Sequence, residues 1–159
     1  VRLGVDGFYT STQGGEEGRL GSGSLFDTCV RPYDLALMEE INRTCTFSIL
    51  HVCDYRLPYR DLAGYTSYPG QVVNTSLELS NGKTTPCEVS CLFNRPFMGG
   101  LDRKGPLSTG SPDEVRQMVQ ELLPEAPERF ILGADCTVLP GTPWENLRAA
   151  IQAAHDWRR

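Results

Sequence analysis

Short apolar runs alternate with amphipathic, helix-like segments about five times along this chain, at a spacing of roughly 25–35 residues. That rhythm constrains the fold more than any other feature. Strands joined through helices must run parallel, because a tight turn cannot return the chain in the same direction. The chain is therefore expected to be α/β, with a parallel sheet covered by helices. Two architectures satisfy the rhythm, an open α/β sheet and a segment of a (β/α)8 barrel. In both, functional groups collect at the carboxyl ends of the strands.

Five strands are read, at 1–9, 45–52, 71–75, 95–101 and 130–132. A loop rich in Gly, Ser and Glu, from Ser11 to Ser24, follows the first and is too long for a plain connector. A helix is expected beyond it, capped by Asp27 or Thr28, with Pro32 marking its first turn or a break. Tyr59–Ala63 reads as a short helix closed by Gly64, and Pro86–Phe93 as a helix capped by Thr85. Ser111-Pro-Asp-Glu114 carries a cap, an N1 proline and a capping-box glutamate, and Thr142-Pro-Trp-Glu145 repeats the signature.

With 159 residues, 40% of them hydrophobic, the chain has length for one core, and 1–159 is read as a single domain. Its net charge of −5 and lack of a long basic run argue against nucleic acid. No apolar stretch approaches the roughly 20 residues of a membrane span. No signal peptide is read, and the first residue is Val1, so the chain is expected to be processed or a piece of something longer. Cysteines stand at 29, 45, 53, 87, 91 and 136, irregularly spaced, which favours a reducing, cytoplasmic setting. Cys87 and Cys91 share a helix face and are expected to pack there, and Cys29 and Cys45 to be buried small side chains. Gly14-Gly15 and Gly99-Gly100 lack the spacing of a nucleotide-binding loop.

His51, Asn74, Asp102 and Cys136 all fall at strand ends. His51 and Cys53, separated by one residue, point to the same face of an extended strand, and Cys136 arrives from another strand. One imidazole and two thiols suit zinc, and three protein ligands leave a fourth position open, as in catalytic sites. The alternative is a packed core histidine beside two small buried thiols. Asp135 is read as a partner of the site, a general base or a loop cap, and Asp54 as a supporting group or a turn residue.

Ile49-Leu-His-Val-Cys53, Met98-Gly-Gly-Leu-Asp102 and Ile131-Leu-Gly-Ala-Asp-Cys136, continuing to Gly141-Thr-Pro-Trp-Glu-Asn-Leu147, resemble the uroporphyrinogen decarboxylase superfamily. The resemblance implies a (β/α)8 TIM-barrel fold, of which this chain supplies roughly strands four to eight. Members are about twice as long, so it also implies a fragment missing the N-terminal half, or a homo-oligomer that completes the barrel. One branch decarboxylates uroporphyrinogen, a tetrapyrrole of haem synthesis, without a cofactor. Another contains zinc-dependent methyltransferases that move a methyl group between a corrinoid on a partner protein and a small-molecule thiol such as coenzyme M. The decarboxylase Gly-His-Gly on the last strand is Gly133-Ala134-Asp135 here, and its Asp-Trp is Asn74-Thr75. The methyltransferase pattern, His-x-Cys and a distant Cys, matches His51, Cys53 and Cys136 as metal ligands. The methyltransferases tend to carry Gly where this chain has Asp135. On the resemblance, Asp102 and Asp135 are the candidate catalytic groups, and Ser11 and Asn74 the substrate-lining ones. A non-catalytic half-barrel serving assembly is the further alternative.

Overall fold

In the computed structural model, residues 3–20 and 23–158 are described. In chain order the elements are β1 (Gly7–Thr12), α1 (Gly23–Cys29), α2 (Arg31–Thr44), β2 (Phe47–Val52), β3 (Val72–Thr75), β4 (Glu78–Leu79) and β5 (Gly82–Lys83). They continue with α3 (Pro86–Phe93), β6 (Phe97–Leu101), α4 (Pro106–Thr109), α5 (Pro112–Leu122), β7 (Phe130–Ala134) and α6 (Trp144–Asp156). One sheet runs β1-β2-β3-β6-β7, every pairing parallel, and β4 and β5 form a separate antiparallel hairpin.

That order decides between the two architectures. Strands added always on the same side, through right-handed crossovers, place every crossover helix on one face of the sheet. A doubly wound sheet would reverse its order at some point, and this one does not. The chain is part of a TIM barrel. Leu50, Val52, Val73 and Phe97 pack with Met38, Val89 and Phe93 in one helix-side core, and Leu101, Val115, Val119, Ala149 and Ala150 in a second. In register with the alternate residues, His51 faces Ser11 on β1 and Asn74 on β3. This other face carries the polar groups.

Local signals account for most helix starts. Thr85 and Ser111 each accept from the backbone N–H three residues on, while Glu88 and Glu114 reach back to the cap N–H. Pro32 sits in the first turn of α2. Other expectations need correction. Asp27 and Thr28 lie inside α1 and cap nothing: Asp27 pairs with Arg31, and the Thr28 hydroxyl donates to the Ser24 carbonyl. Tyr59–Ala63 is not a helix. The Tyr59 side chain is buried and the Asp61 carboxylate takes the Ala63 N–H, so the chain makes a 3-10 turn at Ala63–Tyr65, with Gly64 inside it. Thr142 does not cap α6; its hydroxyl is 2.9 Å from the Leu139 carbonyl and 2.7 Å from Ser108 Oγ, and Pro143 precedes the helix.

The first strand starts later than read and runs on to Thr12, shortening the loop. Val1 and Arg2 of that expected strand, and Gly21 and Ser22 of the loop, lie outside the described residues. Cys29, Cys87 and Cys91 are exposed and Cys45 is half-buried. On α3 the buried stripe is Pro86, Val89 and Phe93, and Cys87 and Cys91 point away from it. Among the described residues no helix is long and apolar enough to cross a membrane.

Candidate functional site

At the carboxyl end of the sheet His51, Cys53 and Cys136 meet, although β2 and β7 are not neighbours. His51 Nε2 lies 3.3 Å from Cys136 Sγ, and the two sulfurs are 3.7 Å apart. All three donor atoms fall within 4.8 Å of one another. A tetrahedral zinc with Zn–S of about 2.3 Å and Zn–N of about 2.0–2.1 Å sets two sulfurs about 3.8 Å apart and a nitrogen about 3.5 Å from a sulfur. The donor set fits a tetrahedral ion in type, and the two distances to Cys136 Sγ fit it in spacing, with the third bounded at 4.8 Å; three donors leave one corner of a tetrahedron for a further ligand.

Burial makes the donors reluctant to hold charge alone. It pushes the Cys53 thiol up to about 11, with Cys136 adding to the effect. It pulls the His51 imidazole below its ordinary value, while Asn74 acts the other way. The buried His51 Nδ1 makes no well-formed hydrogen bond. Gln13 Nε2 donates to Cys53 Sγ at 3.4 Å, and the Tyr59 hydroxyl to the Cys53 carbonyl at 3.1 Å. The Tyr9 ring stacks on His51, with centroids 5.1 Å apart.

Asn74 is fully buried and its amide is spent on the frame. Its Nδ2 donates to the Met98 carbonyl at 2.8 Å and the Ala134 carbonyl at 3.1 Å, and its Oδ1 accepts from the Tyr9 hydroxyl. Asn74 thus reaches from β3 over β6 to β7. Ser11 stands on edge strand β1, exposed, in register with His51. Asp102 is half-buried and accepts from the Lys104 N–H at 2.7 Å. It lines an open cavity of about 500 Å³ with Ser76, Lys83, Glu114 and Asp135.

Asp135 is buried beside Arg103, which the sequence reading passed over. The Arg103 N–H donates to one Asp135 oxygen at 3.0 Å and its Nη1 to the other at 2.9 Å. The same Nη1 is 2.9 Å from Asp54 Oδ1. Burial raises the Asp135 carboxyl above its ordinary range, and Arg103 opposes the rise. Burial alone would lower the Arg103 guanidinium, but Asp135 and Asp54 hold it above its usual value. A cation directly after Asp102 at a strand end, with each site cysteine flanked by aspartate, was the signal available in the sequence.

The family model described as "Uroporphyrinogen decarboxylase (URO-D)" matches residues 16–157. No curated protein matches the chain. Among solved structures, a methyltransferase from Methanosarcina mazei is similar in fold, with a TM-score of 0.74 at 16% sequence identity. The match covers 98% of this chain and 43% of the methyltransferase, so the chain spans less than half of that protein's length.

Proposed function

Because the chain belongs to the uroporphyrinogen decarboxylase (URO-D) family, we propose that it is the zinc-binding part of an enzyme that transfers a methyl group from a corrinoid to a thiol. The observation that carries this reading is the convergence of the His51, Cys53 and Cys136 donor atoms within 4.8 Å of one another, with His51 and Cys53 each at metal-ligand spacing from Cys136. The methyltransferase fold neighbour supports the same branch.

His51, Cys53 and Cys136 would hold the ion and leave one corner for the substrate. Zinc supplies Lewis acidity, which keeps a bound thiol deprotonated at neutral pH, the more nucleophilic form. A corrinoid would supply the methyl group and keep the electron pair of the broken bond, and the thiolate would form the new carbon–sulfur bond. The Tyr9 ring fixes the plane of His51 by stacking. Asn74 ties the strands beneath the site. Asp102 lines a cavity that includes none of the three donors, and it is assigned to substrate contact by the resemblance, as is Ser11 on edge strand β1. Asp135, with both oxygens engaged by Arg103, acts by orientation. The corrinoid would arrive on a separate protein.

The test is metal analysis after metal-clean preparation and zinc addition. One equivalent of zinc is expected in the wild type, with affinity falling at least about tenfold in Cys136→Ala. Equal binding by the variant refutes the site. The competing reading, decarboxylation of uroporphyrinogen, is favoured by the description of the matching family. Against it, the last strand carries Ala134 where that branch resembles Gly-His-Gly. Carbon dioxide release from uroporphyrinogen, unaffected by Cys136→Ala, would favour it instead.

A further inference from the structure

The two cysteines of the candidate metal site stand just beyond the ends of β2 and β7, strands that are not paired with each other. In the order β1-β2-β3-β6-β7, three interstrand steps separate β2 from β7. At about 4.8 Å per step, that is about 14 Å along a flat sheet. The Cys53 and Cys136 sulfurs are nevertheless 3.7 Å apart. Curvature of the sheet brings the ends together, but the backbone ladder alone does not lock them at that separation.

A direct link exists, and it is side-chain chemistry. Cys53 is followed by Asp54, and Cys136 is preceded by Asp135. Arg103, just past the end of β6, contacts both carboxylates through one guanidinium nitrogen, at 2.9 Å each, as a hydrogen bond to Asp135 and as an ion pair with Asp54, whose Oδ1 has no hydrogen-bond partner. The Arg103 backbone N–H takes the remaining Asp135 oxygen at 3.0 Å. All three residues are buried, at 3%, 5% and 6% exposure. Burying one cation between two anions is an expensive way to stabilise a fold, and well-packed apolar side chains often do as well or better. What this triad supplies is a fixed geometry one residue from each thiol.

We propose that Arg103 is a positioning residue, which clamps Asp54 and Asp135 and thereby holds Cys53 and Cys136 at metal-binding separation. This rests on the zinc reading for its consequence, though not for the clamp itself. The guanidinium is suited to the task because its charge is permanent and its planar head is pre-organised, so that one nitrogen is held between two carboxylates, whereas a lysine ammonium is a point charge on a flexible stem.

Two readouts separate the clamp from the metal. The first is the zinc dissociation constant, measured by competition with a chromophoric chelator, together with the cobalt(II) spectrum. Arg103→Met is expected to bind zinc about 10- to 100-fold more weakly than wild type, with altered cobalt–thiolate absorption. Arg103→Lys should recover part of the loss. Far-UV circular dichroism of the metal-free proteins checks folding, and Arg103→Lys keeps the test alive should Arg103→Met not fold. Asp54→Asn, combined with Arg103→Lys, should be non-additive if both act through the one link.

The second readout needs no metal. Diamide takes two electrons and two protons from a pair of thiols, is reduced to the hydrazine, and leaves one S–S bond where two S–H bonds were. In metal-free wild type it should join Cys53 to Cys136, seen as the linked peptide by mass spectrometry. Arg103→Met should slow that joining at least about tenfold, with Arg103→Lys between it and wild type. An Arg103-dependent cross-link in a protein that binds no zinc would leave the clamp standing and remove the metal reading. Folded variants that bind zinc within twofold of wild type and cross-link at the same rate would overturn the clamp and leave the metal reading intact.

Discussion

Replacing Asn74 by aspartate changes one NH2 group to oxygen and almost nothing in shape. The amide nitrogen donates to two backbone carbonyls, Met98 at 2.8 Å and Ala134 at 3.1 Å, in a fully buried position. A carboxylate there would set its charge against two carbonyl oxygens, so the folded protein has to keep the introduced carboxyl protonated. From an ordinary value of about 3.9, holding the proton at pH 7 costs about 3 pKa units, or about 4 kcal/mol. One O–H can satisfy one carbonyl, so one hydrogen bond is lost as well, about 1 kcal/mol. The expected destabilisation is about 5 kcal/mol at pH 7. At pH 5 the protonation cost falls to about 1.5 kcal/mol, and the total to about 2.5 kcal/mol.

The sign follows from linkage. The folded carboxyl titrates above its unfolded value, so stability is full below about pH 4 and is lost as pH rises through the folded pKa. Urea unfolding of wild type and Asn74→Asp at pH 5 and pH 7 measures the difference. Asn74→Leu provides the control, because it leaves both carbonyls unpaired at a cost that does not vary with pH. A deficit under 1 kcal/mol at pH 7, or the same deficit at both pH values, would refute the account of Asn74 as a buried strand tie.

Three further outcomes are expected. Gly100 has φ +94, and a Cβ there would lie 2.5 Å from Leu122 Cδ2, a movable side-chain tip. Gly100→Ala should therefore cost about 2–6 kcal/mol in backbone strain and overpacking. Combining it with Leu122→Ala should relieve the packing part but not the strain, and a double-mutant cycle by chemical denaturation that shows no coupling would contradict the geometry. Iodoacetamide at pH 7.5 should modify the exposed Cys29, Cys87 and Cys91 before Cys53, whose thiol is buried and pushed up to about 11; peptide mass spectrometry over time would expose the opposite order. Asp102→Asn should lower methyl transfer with the zinc dissociation constant unchanged, whereas Asp135→Asn should weaken zinc binding; a zinc effect from Asp102→Asn would remove the assignment of Asp102 to substrate.

Features carried by a few consecutive residues were legible in the sequence. Thr85 with Glu88, and Ser111 with Glu114, make their reciprocal caps because both partners lie within one helical turn. Thr142 has the same local pattern and fails, because Ser108, 34 residues away, offers its hydroxyl another contact. Tyr59–Ala63 has a helix-like pattern, yet the buried Tyr59 ring and the Asp61 carboxylate draw it into a turn. The β4–β5 hairpin went unread although Asn81-Gly82 is a turn signal. His51 and Cys53 announced a shared face through strand periodicity. Their meeting with Cys136, 85 and 83 residues on, depended on the resemblance, since no local pattern encodes how a sheet curves. Arg103 stayed hidden for the same reason, with its Asp135 contact 32 residues away.

The two ties that draw β7 towards the rest of the site meet on β6. Asn74 crosses that strand to the Ala134 carbonyl, and Arg103 leaves its end to grip Asp54 and Asp135. At the crossing point β6 carries Gly99 and Gly100, both with positive φ. A Cβ on Gly99 would fall 2.8 Å from Phe97 Cζ and 3.5 Å from Asn74 Nδ2, so a larger residue would press on the buried ring just where the amide passes. Gly99, and not Gly100, whose Cβ would meet only Leu122, is the glycine that bears on the crossing. It lets a side chain from β3 reach the β7 backbone, and strand β6 then delivers Asp102 to the cavity and Arg103 to the two aspartates. The Gly-Gly-Leu-Asp-Arg run at 99–103 is in this sense one device, in which close approach, a cavity carboxylate and a clamp for the cysteine-bearing strand ends follow in five consecutive residues.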